Sequence, residues 1–153
     1  MASLACGSWM RQGAWIMLDN TAIESAALGL LNRSLPKVQW THEAHFAAVL
    51  WLLRHRPESS EPAALRAIIR AYNEATGTAN TDSSGYHHTI TLASLRAAKA
   101  WLDDRQLADV LAEIMASSLG RSDWLLMHWS RGRLFSPLAR RDWVAPNLVD
   151  LPF

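Results

Sequence analysis

Apolar residues return every three or four positions through most of this chain, and proline, glycine or polar clusters interrupt them at helix-length intervals. The clearest stripe is Phe46, Val49, Leu50 and Leu53, which marks one face of a helix. Five longer helices follow from the pattern. The first starts near Thr21, where Thr21-Ala22-Ile23-Glu24 has the form of a capping box, and runs to about Asn32. The second opens at Thr41, continues through Arg54 and is stopped by Pro57. The third begins within Ser59-Ser60-Glu61-Pro62 and ends at Gly77. The fourth covers roughly Tyr86 to Leu102, and the fifth Gln106 to Ser118 before Gly120. A short sixth helix follows Ser122, a last turn runs from Ser136-Pro137 to Trp143, and Pro146 to Phe153 form an extended tail.

The predicted fold class is all-α, an up-down helical bundle of about five or six helices with a C-terminal extension. Residues 1–20 read as an irregular lead and 21–153 as one domain. Composition agrees, because alanine and leucine outnumber the β-branched residues and lose less side-chain freedom in a helix. Half of the chain is apolar and 19% is charged, the balance of a folded domain. A net charge of +1 supplies no global field, so no nucleic-acid partner is expected without a local patch. Cys6 stands alone, which rules out an intramolecular disulfide and a cysteine zinc site. Arg11 interrupts the moderately apolar first twenty residues and no charged segment precedes them, so no signal peptide is expected. No run is apolar for long enough to span a bilayer, and the expected location is the cytoplasm.

Helix counting brings candidate chemistry to one end of this bundle. If helices two and three, and three and four, run antiparallel, then two and four start at the same end. That end receives His42 and His45 from helix two and His87 and His88 from helix four. Tyr72, Asn73 and Glu74 come from helix three, and Asp82 from the loop. His42 lies within the Phe46–Val49 stripe and His45 on its flank; His87 is in line with Ile90, whereas His88 falls with Arg96 and Lys99 on the polar side. His42, His45 and His87 are therefore candidate ligands for a divalent transition metal (Zn, Fe, Ni or Mn), with one coordination position left for water or substrate. Glu43, Asn73, Glu74, Asp82 and Tyr86 are candidate outer partners that would fix a histidine tautomer. His-Glu-Ala-His is one residue short of the metalloprotease spacing. The alternative is a metal-free module that dimerises or binds a small ligand at the same end. In it, His42 and His87 are core histidines bonded to a backbone carbonyl or to Asn73.

Two other constellations carry chemistry. The Thr78–Gly85 loop before helix four reads as an anion nest or as a plain turn-rich loop, and it lacks the glycines of a phosphate loop. In the last third, Trp124, Trp129, Phe135 and Trp143 alternate with Arg121, Arg131, Arg133, Arg140 and Arg141. Such interleaving suits single-stranded nucleic acid, but tryptophans at this spacing also seal an extension onto a bundle, and Asp123 and Asp142 dilute the charge. The aromatic tail makes a homodimer the expected assembly. No serine–histidine–acid arrangement and no dinucleotide fingerprint is present.

Trp40-Thr41-His42-Glu43-Ala44-His45, Tyr72-Asn73-Glu74, Asn80-Thr81 and Gly85-Tyr86-His87-His88-Thr89-Ile90-Thr91 resemble the motifs of an uncharacterised group of small bacterial helical proteins. The stretch from Ser130 to Pro146, with Leu134-Phe135-Ser136-Pro137 and Ala139-Arg140, is similar too. In that group's pattern the position of His88 is commonly acidic, so this chain departs there. The resemblance implies no activity, cofactor or catalytic residue.

Overall fold

The computed structural model describes residues 17–153. Of the expected irregular lead, residues 17–19 have no regular structure and Asn20 already begins a helix; Cys6 lies outside the described residues. The described residues are all-α, without a strand.

Helix α1 spans Asn20–Leu31 and is capped by Asp19, whose carboxylate accepts from the Ala22 N–H at 2.8 Å. It therefore starts just before the expected Thr21, because an anionic acceptor suits the positive end of a helix. Helix α2 spans His42–His55 with Thr41 as its cap, Thr41 Oγ1 accepting from the Ala44 N–H at 3.2 Å. Its end falls at Arg56, before Pro57, where the proline ring disfavours further helix. A 3-10 turn over Pro57–Ser60 leads to α3, Pro62–Ala75, with proline in its first turn. The serines expected to cap α3 sit in that preceding turn, and Ser60 donates to the Pro57 carbonyl instead. Gly77 closes α3 at φ 82°.

Helix α4 covers His88–Trp101 and α5 covers Leu107–Ala116. After Ser122 the chain forms a 3-10 turn, Trp124–Met127, where a sixth α-helix was expected. Asp123 makes no side-chain cap there, and the turn buries Trp124 and Leu125. Two short helices follow, α6 over Arg131–Leu134 and α7 over Pro137–Arg141, the second capped by Ser136 as its Ser-Pro start predicts.

Helix α2 is the axis of the molecule. Every residue from Ala44 to Leu52 except His45 is buried, and the helix packs on α1, α4 and α5. A helix that is apolar nearly all round belongs inside a bundle. Helix α3 packs on α1, and α7 on α4. The C-terminal segment seals one side: fully buried Trp129 donates its indole N–H to the Val144 carbonyl at 3.0 Å and meets Trp143 edge-on. No helix among the described residues is long and apolar enough to cross a membrane.

Candidate functional site

The helices leave a cavity of about 410 Å³ between α2, α3 and the start of α4. Its walls are mainly apolar and aromatic, including Phe46, Val49, Ile69 and Ile90 with Trp40, Tyr72 and Tyr86. His45, Asn73, Thr76, His87 and Ser94 add polar groups, and Lys37 is exposed on its border. The cavity thus lies at the histidine end read from the sequence.

His45 projects from α2 onto the Trp40 ring, with ring centroids 4.0 Å apart. The residue is exposed and borders the cavity. Removal from bulk water, with a smaller push from His42, lowers its pKa from 6.5 to about 4, so the imidazole is neutral at pH 7. A neutral imidazole offers one donor and one acceptor to whatever enters.

His42 does not line the cavity. Its Nε2–H donates to the Leu119 carbonyl at 2.7 Å, its ring stands edge-on to Phe46, and it thereby ties the start of α2 to the turn after α5. His87 does line the cavity but has no free ring nitrogen. As the N-cap of α4 it accepts at Nδ1 from the Ile90 N–H at 3.3 Å, and its Nε2–H donates to the Leu134 carbonyl at 2.7 Å. Burial holds its pKa below the usual histidine range. The three imidazoles named from the sequence therefore gather around one end without presenting a common set of free nitrogens. Among the described residues no group of three or more His, Cys, Asp or Glu side chains is placed to hold a metal ion.

The candidate outer partners are dispersed in the same way. Glu43 accepts from the Leu18 N–H at 3.2 Å and fixes the entry of the chain. Glu74 accepts from Asn80 at 3.3 Å, and Asp82 lies 3.8 Å from Arg141 Nε, both on the outer surface. Asn73 and Tyr86 do reach the cavity and build its wall through Asn80. Asn80 Oδ1 accepts from Asn73 Nδ2 and from the Tyr86 N–H, both at 3.0 Å, and Asn80 Nδ2 donates to the Arg70 carbonyl at 3.1 Å. Tyr86 shares a 2.8 Å hydrogen bond with His88 Nδ1, and burial raises its pKa above that of a free phenol. His88 is half-buried and is not among the residues that line the cavity.

Gly85 permits this loop to close. It sits at φ 75°, and a Cβ there would fall 2.5 Å from the Ala79 carbonyl oxygen. Arg140 of α7 then holds the loop from outside, donating to the Gly85 and Tyr86 carbonyls at 3.0 and 3.3 Å.

Sequence reasoning missed Lys37, which belongs to a 3-10 turn, Lys37–Gln39, with no amphipathic pattern to mark it. It also gave Trp40 no role, although its place beside His42 and His45 was the available signal. No family model matches this chain, and no curated protein or solved structure matches it either.

Proposed function

We propose that this chain is a small-molecule-binding helical module whose ligand occupies the cavity between α2, α3 and α4 without a metal ion. The observation that carries this reading is the cavity itself: about 410 Å³, apolar and aromatic over most of its wall, with a neutral His45 on its border. Ligand sites in proteins have this make-up, at roughly 300–1,000 Å³ with a few placed polar groups. The buried backbone carbonyls of Leu119 and Leu134 support the metal-free form, since ligation through the nitrogens that His42 and His87 now use would strip each of its donor.

The test is a fluorescence titration with N-phenyl-1-naphthylamine, an uncharged apolar dye, on wild type and Ser94→Leu. Ser94 lines the cavity, and leucine would fill part of it. Saturable binding to wild type that is weakened at least tenfold in Ser94→Leu is the expected result. Equal binding to both, or to neither, would overturn the reading. Metal analysis of untagged protein after reconstitution with Zn, Fe, Ni and Mn should give clearly substoichiometric metal. One tightly held ion per chain would favour the three-histidine centre instead.

A further inference from the structure

We infer that the ligand is an aromatic acid, its ring held among Trp40, Tyr72, Tyr86 and His45 and its single negative group paired with Lys37. This inference rests on the cavity being a ligand site and adds the class of molecule that the site selects.

Charge distribution is the first support. Among the residues that line the cavity, Lys37 alone carries a formal charge, and no carboxylate is present. Lys37 makes no salt bridge among the described residues, and residues 1–16 contain no aspartate or glutamate that could supply one. The surroundings have the same sign. Arg66 lies 5.4 Å from the centre of the Tyr86 ring, and Arg140 binds the Gly85 and Tyr86 carbonyls; neither is in a salt bridge. Glu74 of α3 and Asp82 of the loop are exposed and already engaged with Asn80 and Arg141. No carboxylate lines the cavity to pair with a cation, whereas an anion at the rim would find an ammonium that has no salt bridge among the described residues.

The shape of the wall is the second support. Trp40 contacts both His45 and Tyr72, with ring centroids 4.0 and 5.4 Å away, so three rings adjoin along one side of the cavity. Tyr86 lines it as well. Aromatic faces and edges favour a planar ring over a flexible chain. Lys37 precedes Trp40 by one 3-10 turn, the Trp40 N–H donating to the Lys37 carbonyl at 3.0 Å, so the cation and the aromatic wall share one short element. The buried part of the ligand must be uncharged, because nothing inside offers a counter-ion.

The experiment compares 2-naphthoate with 2-naphthalenemethanol, which share a ring system and differ in charge. Binding is followed by calorimetry at pH 7.5 on wild type, Lys37→Gln and Ser94→Leu. Wild type should bind the acid about fivefold more tightly than the alcohol, the size of an exposed ion pair. Lys37→Gln should remove that preference and leave the alcohol unchanged, and Ser94→Leu should weaken both. If wild type binds the two equally, or Lys37→Gln leaves the preference intact, the acid class is wrong while the cavity reading stands. If neither binds, or both bind Ser94→Leu as they do wild type, the cavity reading has failed and this inference goes with it.

Discussion

At His45 the cost of ionisation becomes a handle on the site. The folded chain holds its pKa near 4, mainly by burial and secondly through His42, whereas in the unfolded chain it returns to about 6.5. Below pH 6.5 the unfolded state therefore takes up a proton that the folded state refuses, and stability falls as the pH drops from 6.5 towards 4. Because His45 is exposed to solvent, the loss is smaller than the shift alone implies, on the order of 1–2 kcal/mol. Urea denaturation at pH 7.5, 5.5 and 4.5 should show wild type losing more stability on acidification than His45→Gln. Equal losses would mean that the surroundings of His45 do not resist its protonation. His87 acts in the same direction, so some acid sensitivity should survive in the variant. Counting along helix two was enough to place His45 on the flank of the apolar stripe, since that position depends only on the 3.6-residue repeat; the residue is exposed where it borders the cavity. That His42 and His87 bond backbone carbonyls was the alternative reading of the sequence, but which carbonyls they meet was not legible. Their carbonyl partners lie 77 and 47 residues away, and no local pattern announces them.

Among the elements, the Thr78–Gly85 loop depends most on single side chains. Asn80 joins α3 to the start of α4 by bonding Asn73, Arg70 and Tyr86, and Gly85 provides the backbone turn that brings Tyr86 within reach. Asn80→Ala would leave the Tyr86 N–H without its acceptor and should cost about 1–3 kcal/mol. Gly85→Ala adds a methyl against the Ala79 carbonyl to a left-handed backbone and should cost about 2 kcal/mol or more. Both variants should also bind N-phenyl-1-naphthylamine more weakly, since Tyr86 forms part of the wall. Chemical denaturation beside the dye titration checks this pair; wild-type stability in Gly85→Ala would mean the loop closes in another way. The sequence located this loop, the proline-marked boundaries and the Ser136 cap because proline, glycine and serine act locally. It did not foresee α6, four residues long, whose Leu134 is buried by tertiary contact alone. It also began α4 at Tyr86. In the fold Tyr86 belongs to the cavity wall and His87 serves as the cap, a place more often taken by serine, threonine, aspartate or asparagine.

For the molecule as a whole, periodicity locates the five longer helices but not which of them touch. The all-α class follows from the sequence. The central place of α2 follows from its apolar residues on every side, and the cavity arises where α3 turns to α1 instead of closing on α2. His42 and His87 take opposite roles in this arrangement. His42 fastens α2 to the turn after α5, and His87 fastens α4 to α6, with no shared partner. Each alanine substitution leaves a carbonyl without its donor and should cost about 1–3 kcal/mol. Sites without a common partner add to within roughly 0.5 kcal/mol, whereas residues in one network or on one metal ion couple by up to about 3 kcal/mol. A double-mutant cycle on urea stability, using His42→Ala and His87→Ala with His55→Ala as a reference at the far end of α2, should therefore be additive for both pairs. Coupling above about 1 kcal/mol between His42 and His87 alone would mean that the two rings share a ligand or an ion. The separate fastening of the two helices would then have to give way to the three-histidine centre.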